Sequence, residues 1–275
     1  MDFQQSYIDA LWCDFIIPPA SDGQYRMDSK CLHVWPDKES IVMAQPDFDG
    51  SFRGGMVALT DKCRDLTRHP EKFKAFSSSK FPGIVPDLLS AESATEQFQH
   101  HQKISLKSVE CGKFGYADAG VLLGDSSHTM TPFHDMGMIT GLEDVRVFFE
   151  EFIDPAHREL NGQVDTPFCP AGAVQRYTAH RRPDVHAMTD MAAEHYHELR
   201  IGITSKANRA KKTNESSLQR YALALDWATM YSRIQFSHER FSVIRKKEAQ
   251  QQRIIRSFLP SLFVAGLLGT LFLLD

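Results

Sequence analysis

Short apolar runs broken by turn residues fill the first sixty positions of the chain. CDFIIPP, CLHVWP, IVMAQP and GMVAL are separated by SDG, PDKES and DFDGSFRGG, a pattern that predicts antiparallel strands joined by tight connections. In CLHVWP, Leu32 and Val34 alternate with His33 and Trp35, so one face is expected in a core and the other is free to line a pocket; Trp35 suits either packing or a binding wall. From Asp61 to Ser79 the spacing of Cys63, Leu66, Phe73 and Phe76 predicts helix, and the prolines of FPGIVPDLLS stop it and permit another. Alternation returns from Ile104 to Val109. The unbroken apolar run Ala119 to Leu123 then predicts a buried strand that ends abruptly at Gly124 and Asp125.

Helical spacing dominates the remainder. Leu142, Val145, Phe149 and Phe152 recur at threes and fours between Gly137 and Ile153, predicting an amphipathic helix with those residues on one face. Residues Glu159 to Ala173 read as a Pro/Gly-containing loop, and Asp184 to Gln252 as helix without an internal proline. Phe258 to Leu274 carries no charge and is preceded by Arg245, Lys246, Lys247, Arg253 and Arg256. This predicts a membrane anchor with the globular part on the cytosolic side; a terminal core helix or a membrane-surface helix are the alternatives. No internal repeat interrupts the pattern.

A chain of 275 residues that is 42% hydrophobic and 24% charged is large enough to bury a core. Its formal charge of -4, with no basic block in the first two hundred residues, argues against a nucleic-acid surface. The five cysteines, Cys13, Cys31, Cys63, Cys111 and Cys169, form no C-x-x-C pair, so neither a disulfide framework nor a zinc site is expected. His186, His195 and His197 do not share a helix face, and no metal is expected there. The first ten residues lack a basic segment followed by an apolar one, so a cleaved secretory leader is not expected.

The stretch VLLGDSSHTMTPFHDMGMITGLEDV, from Val121 to Val145, holds the densest chemistry. A strand ending in Gly-Asp, a polar loop and a helix start bring a carboxylate and unpaired backbone N–H groups to one place. Asp125 is suited to accept hydrogen bonds from sugar-like hydroxyls, and the helix start at Gly137 to Ile139 to stabilise an anionic ring; the alternative is that Asp125 caps a turn.

Gly124, Asp125, Ser126, Ser127, His128, Pro132, Gly137, Gly141 and Asp144 fall in the register G-D-[AS]-[AS]-H-x-x-x-P-x-x-G-x-G-x-N-x-[AG]-x-x-D. In this the chain resembles the FAD-dependent aromatic-ring hydroxylases. CLHVWP is similar to the L-H-I-W-P strand of the kynurenine 3-monooxygenase family, and MAQPDFDGSF to its M-A-x-P-x-x-D-x-S-F segment. RRPDVHAMTDMAAEHYHELR resembles its helix ending in Y-x-E-M-R. The resemblance covers most of the chain and is weakest between Lys62 and Gln102 and near Gly162.

The resemblance implies an α+β fold: an antiparallel substrate-domain sheet with helices, part of a flavin-hydroxylase FAD/substrate fold, then a C-terminal helical region and a membrane helix. It divides the chain into 1–115, the fingerprint unit 116–158, a helical region 159–252 and an anchor 253–274. FAD would be contacted by Gly124, Asp125, Pro132, Gly137, Met138 and Ile139, with NADPH as reductant, and a small aromatic substrate such as L-kynurenine by Phe133 and Tyr196. Phe133 suits plain packing equally, and Tyr196 a polar helix face. The cofactor carries the reaction, so no side chain is expected to act as acid, base or nucleophile. The family also implies the mitochondrial outer membrane.

Two features depart from the family. The G-x-G-x-x-G turn that binds the ADP part of FAD is absent, and Gly54-Gly55 lacks its spacing. The chain is therefore expected to be the C-terminal part of such an enzyme, inactive alone, with a separately encoded FAD-binding half as one candidate partner. A membrane-tethered, non-enzymatic remnant or partner protein that binds no FAD is the alternative. Within the fingerprint, Asp135 and Ile139 stand where the family has glycine and asparagine. Asp135 either brings a carboxylate to the ring or complements the helix dipole.

Overall fold

A computed structural model describes residues 2–117, 119–155, 169–202, 205–221 and 227–271; at 207, 214, 217, 221 and from 258 on, only the backbone is described. The architecture is α+β. Strands β1 (Phe3–Ile17), β2 (His33–Pro36), β3 (Ser40–Pro46), β4 (Phe52–Leu59) and β5 (Lys103–Cys111) form an antiparallel sheet in the order β2-β3-β4-β1-β5.

Strand alternation sorts the sheet's side chains between two cores. Cys13, Ile17, Val42, Ala44, Met56 and Ala58 meet helices α1 (Thr60–Arg68), α2 (Pro70–Lys80) and α3 (Ala91–His100). Ala10, Ile41, Met43, Val57 and Leu106 face the other way, toward Phe133, Tyr196 and Leu199. The helical positions Cys63, Leu66, Phe73 and Phe76 are all buried, as their spacing predicts, and the rings of Phe73 and Phe98 stack 4.1 Å apart. The segment is two helices, because Pro70 holds His69 extended at φ -132° and ψ 81°.

Four expectations need correction. The first strand begins at Phe3 rather than near Cys13, since pairing with β5 extends it beyond its partnership with β4. The expected buried strand at Ala119 to Leu123 is a two-residue hairpin arm, β7 (Gly120–Val121), against β6 (Gly115–Tyr116); Ala119 and Gly120 are exposed, and Val121 to Leu123 are half-buried against Phe114 and Tyr177.

After the short helix α4 (Asp125–His128), helix α5 (Gly137–Val147) runs on as a π-helical turn at Phe148–Ile153. Three of the four positions on the expected apolar face lie outside: Leu142 is 65%, Phe149 47% and Val145 42% exposed, whereas Phe152 packs against the core and Thr140, Asp144 and Val147 are buried. The inward side is mixed and centred on the ion-paired Asp144, so apolar spacing alone misassigns it. Helix α6 (Ala173–His197) begins before Asp184 and contains Pro183; Arg181 and Asp184, on either side of that proline, are fixed by Asp144 and Arg240.

The π turn Glu198–Gly202, α7 (Lys206–Tyr221), α8 (Met230–Phe236) and α9 (Phe241–Leu271) complete the chain. Among the described residues no helix is long and apolar enough to cross a membrane. The apolar run from Phe258 to Leu274 lies outside the residues whose side chains are described, as does most of the loop expected from Glu159 to Ala173.

Candidate functional site

The fingerprint turn is built around a buried carboxylate. Asp144, fully buried on α5, accepts hydrogen bonds from the Gly124 N–H at 2.8 Å, His128 Nε2 at 2.5 Å and Arg181 Nε at 2.7 Å. Arg181 also donates to the Thr140 carbonyl at 3.2 Å. Burial alone would push the Asp144 carboxyl up, but the bonds and charges of His128 and Arg181, with the Gly124 N–H, hold it below the usual carboxylate range. Gly124 adopts φ 57°, and a Cβ on Gly141 would come within 3.3 Å of the Gly124 Cα. Glycine thus suits the left-handed position at 124, and Gly141 lets the turn sit close against the helix.

This clamp presents Asp125 outward. Asp125 opens α4, is exposed, and its carboxylate has no partner among the described residues. At the start of α5 no side chain caps the helix, and the first return bond runs from the Thr140 N–H to the Met136 carbonyl at 2.8 Å. The N–H groups of Gly137, Met138 and Ile139 are left for an external acceptor. Gly137 is half-buried, and the Met138 and Ile139 side chains point to solvent.

Residues of the loop between α4 and α5 line a cavity of about 680 Å³ that reaches the sheet and the end of α3. Pro132 and Phe133 form its loop wall, and Trp12, Phe15, Leu32 and Met43 its apolar remainder. Arg53, His100, His101, Asp14 and Asp135 supply the ionisable groups. A void of about 20 Å³ among Phe15, Phe73 and Phe81 in the apolar core has room for little more than a water.

Tyr196 does not reach the cavity wall. It stacks behind Phe133 with ring centroids 4.7 Å apart, buried, its hydroxyl without a partner among the described residues and its pKa raised by burial. Beside it, buried His134 stacks on His195 at 4.2 Å, with Tyr231 6.1 Å away. Among the described residues neither His134 ring nitrogen makes a well-formed hydrogen bond, although the Met191 backbone is near, and burial pulls its pKa down to about 3. Gln235 of α8 donates to the His134 carbonyl at 2.8 Å. The C-terminal helices thereby brace the cavity loop from behind.

Of the residues proposed from the sequence, the structure brings Pro132 and Phe133 to the cavity and Tyr196 to their back. Gly124, Asp125, Gly137, Met138 and Ile139 cluster at the turn and helix start instead. Trp12, Arg53, His100, His101 and His134 were missed. One signal existed: a Cβ on Gly55 would lie 2.5 Å from the Trp12 indole, so a glycine doublet within a strand marks a side chain lying flat across it. In CLHVWP, Trp35 packs against the core beneath the helices, whereas Leu32 lines the cavity.

The fold is that of the FAD-dependent monooxygenases. PqsL of Pseudomonas aeruginosa, a probable FAD-dependent monooxygenase, superposes with a TM-score of 0.54 at 16% identity, over 73% of this chain and 51% of that one. HpxO of Klebsiella pneumoniae, solved with FAD and uric acid, gives 0.53 at 17% identity, over 77% and 49%. The sequence narrows the likeness: over most of its length this chain is similar to enzymes named kynurenine 3-monooxygenase, as its motifs imply. The enzyme of that name from Aspergillus fumigatus is 36% identical over 256 residues, covering 93% of this chain and 50% of the relative. That of Aspergillus oryzae is 34% identical over 276 residues, covering 98% and 54%. The chain therefore spans about half the length of these relatives. No family model matches.

Proposed function

We propose that this chain supplies the flavin-ring and substrate side of an FAD-dependent aromatic hydroxylase acting on kynurenine or a close analogue. The observation that carries the reading is the clamped turn. A buried ion network holds Asp125 outward, unpartnered among the described residues, next to an uncapped helix start, and the loop that joins them lines an aromatic cavity. An unpaired carboxylate fits a polyol chain, and free backbone N–H groups at a helix start fit the electron-rich edge of a ring. The residues present therefore suit FAD, which when bound and reduced by NADPH supplies the oxygen-activating chemistry.

The protein's own part is orientation and exclusion of water. Asp125 would hold the ribityl hydroxyls, and Gly124, Pro132 and the N–H groups of Gly137, Met138 and Ile139 the ring side. Phe133, backed by Tyr196, fixes an aromatic substrate by face or edge contact. Trp12, Phe15 and Met43 keep that ring dry. Turnover in this reading needs a further polypeptide unit with a dinucleotide-binding turn, because no G-x-G-x-x-G occurs here. The basic and then apolar terminus would tether the assembly to a membrane, the mitochondrial outer membrane by family resemblance.

If only the ring and ribityl parts are held here, FMN and FAD should bind the chain equally, since its sequence carries no G-x-G-x-x-G turn for the ADP moiety. At about one hundred times the Kd either flavin should raise stability by about 2.7 kcal/mol. Differential scanning fluorimetry with FMN, FAD and ADP checks this. A melting temperature unmoved by any flavin excess would reject the reading in favour of a protein that binds no flavin.

A further inference from the structure

Asp135 sits in a conformation that L residues seldom take, at φ 55°, and its side chain lines the cavity. Around that cavity every other charged group is engaged. Asp14 accepts from Trp12 Nε1 at 2.6 Å, and Arg53 is ion-paired with Asp47 and Asp49. The His100 and His101 rings are each tied through Nδ1 to a backbone carbonyl, of Glu96 and Asp14 respectively. Asp135 alone has no hydrogen bond or ion pair among the described residues. It stands next to Pro132 and Phe133 and shares the cavity with Trp12 and Phe15. Although the side chain is exposed, the surrounding walls push its carboxyl upward, so an arriving donor is worth more to it than to a surface aspartate.

An aromatic wall with one free carboxylate recognises an aromatic ring that carries an N–H donor. We propose that Asp135 is a specificity-determining residue that accepts a hydrogen bond from an amino group of the aromatic substrate, so that the cavity selects arylamines over their des-amino analogues. The proposal rests on reading the cavity as the substrate site, and it adds to that reading the residue that recognises the ring amino group. It also explains why a residue other than glycine is kept at a left-handed position: the side chain has a ligand to meet.

The test compares L-kynurenine with β-benzoylalanine, the same molecule without its ring amino group, by titration calorimetry on the full chain with saturating FAD. The comparison is then repeated on Asp135→Gly, which suits the backbone at φ 55°, and on Asp135→Asn. A charge-assisted hydrogen bond should favour L-kynurenine by about tenfold or more in the parent chain. The preference should vanish in Asp135→Gly through loss of kynurenine affinity alone, and Asp135→Asn should retain part of it. Equal affinities in the parent chain, or a preference that survives Asp135→Gly, would overturn the proposal while leaving the aromatic cavity intact. Failure of both ligands to bind the parent chain would overturn the substrate-site reading as well.

Discussion

The sheet and its helices on one side, and the fingerprint turn with α5 and α6 on the other, are held by different chemistry. Between the sheet and α1 to α3 the packing is mainly apolar, with Phe73 stacked on Phe98 and Leu66, Phe76 and Met56 filled in around them, and Gln97 hydrogen-bonded to the Ile16 backbone at the edge. Between the turn, α5 and α6 the central contact is a single carboxylate shared by a backbone N–H, an imidazole and a guanidinium. Apolar packing is non-directional and tolerates small changes of shape. A buried ionic network fixes orientation, and the part it fixes carries Asp125 to the surface. The difference teaches that precision is concentrated at the turn, where a ligand would need it, and bulk stability beneath the sheet.

Replacing Asp144 by asparagine tests the ionic side most severely. The shape is conserved, but Arg181 would be left as an uncompensated buried charge, at a cost of about 3 to 5 kcal/mol. Denaturant unfolding should show this as a lower midpoint at unchanged slope. The same group sets an acid limit. Because the folded-state pKa of Asp144 lies below its unfolded value, its contribution is complete above about pH 4 and is lost as pH falls through the folded value. Asp144→Asn should therefore abolish that part of the acid destabilisation. An unchanged acid branch would show that the network contributes no net stability.

Leu66→Met is the corresponding change on the apolar side. A near-isosteric swap in a dry core costs about 1 kcal/mol, and the response to pH should be that of the parent. Equal losses from Asp144→Asn and Leu66→Met in unfolding experiments would erase the contrast between the two halves.

That contrast also explains what could be read in advance. Cys63, Leu66, Phe73 and Phe76 announce their burial by spacing, since an apolar interface selects for apolar residues at the helical period. The order of the fingerprint, from Gly124 to Asp144, is legible because a turn, a carboxylate and a helix start each require particular residue types. The orientation of α5 is not legible. Its inward positions are Thr140, Asp144 and Val147, and its apolar positions Leu142, Val145 and Phe149 face outward, so a rule that places the apolar stripe inside misorients it. The cavity's Trp12, His100 and His101 are equally hidden, because three strands and a helix far apart in sequence meet there only through the β2-β3-β4-β1-β5 order.

The smallest effect on stability is expected from Asp125→Asn, and it bears most directly on function. Asp125 is exposed and without a partner among the described residues, so its substitution should change unfolding free energy by no more than about 0.5 kcal/mol. Asparagine can still open the short helix, which keeps the turn in place. What it removes is the charge: a hydrogen bond to an ionised acceptor is worth about 1.5 to 3 kcal/mol against about 0.5 to 1.5 kcal/mol for a neutral one, so Kd should weaken by about tenfold. Flavin titrations of the parent chain and Asp125→Asn, read by quenching of flavin fluorescence, check this. A weakened Kd with an unaltered melting temperature separates a ligand-holding carboxylate from a structural one. A loss of stability without a change in affinity would place Asp125 with Asp144, among the groups that merely shape the turn.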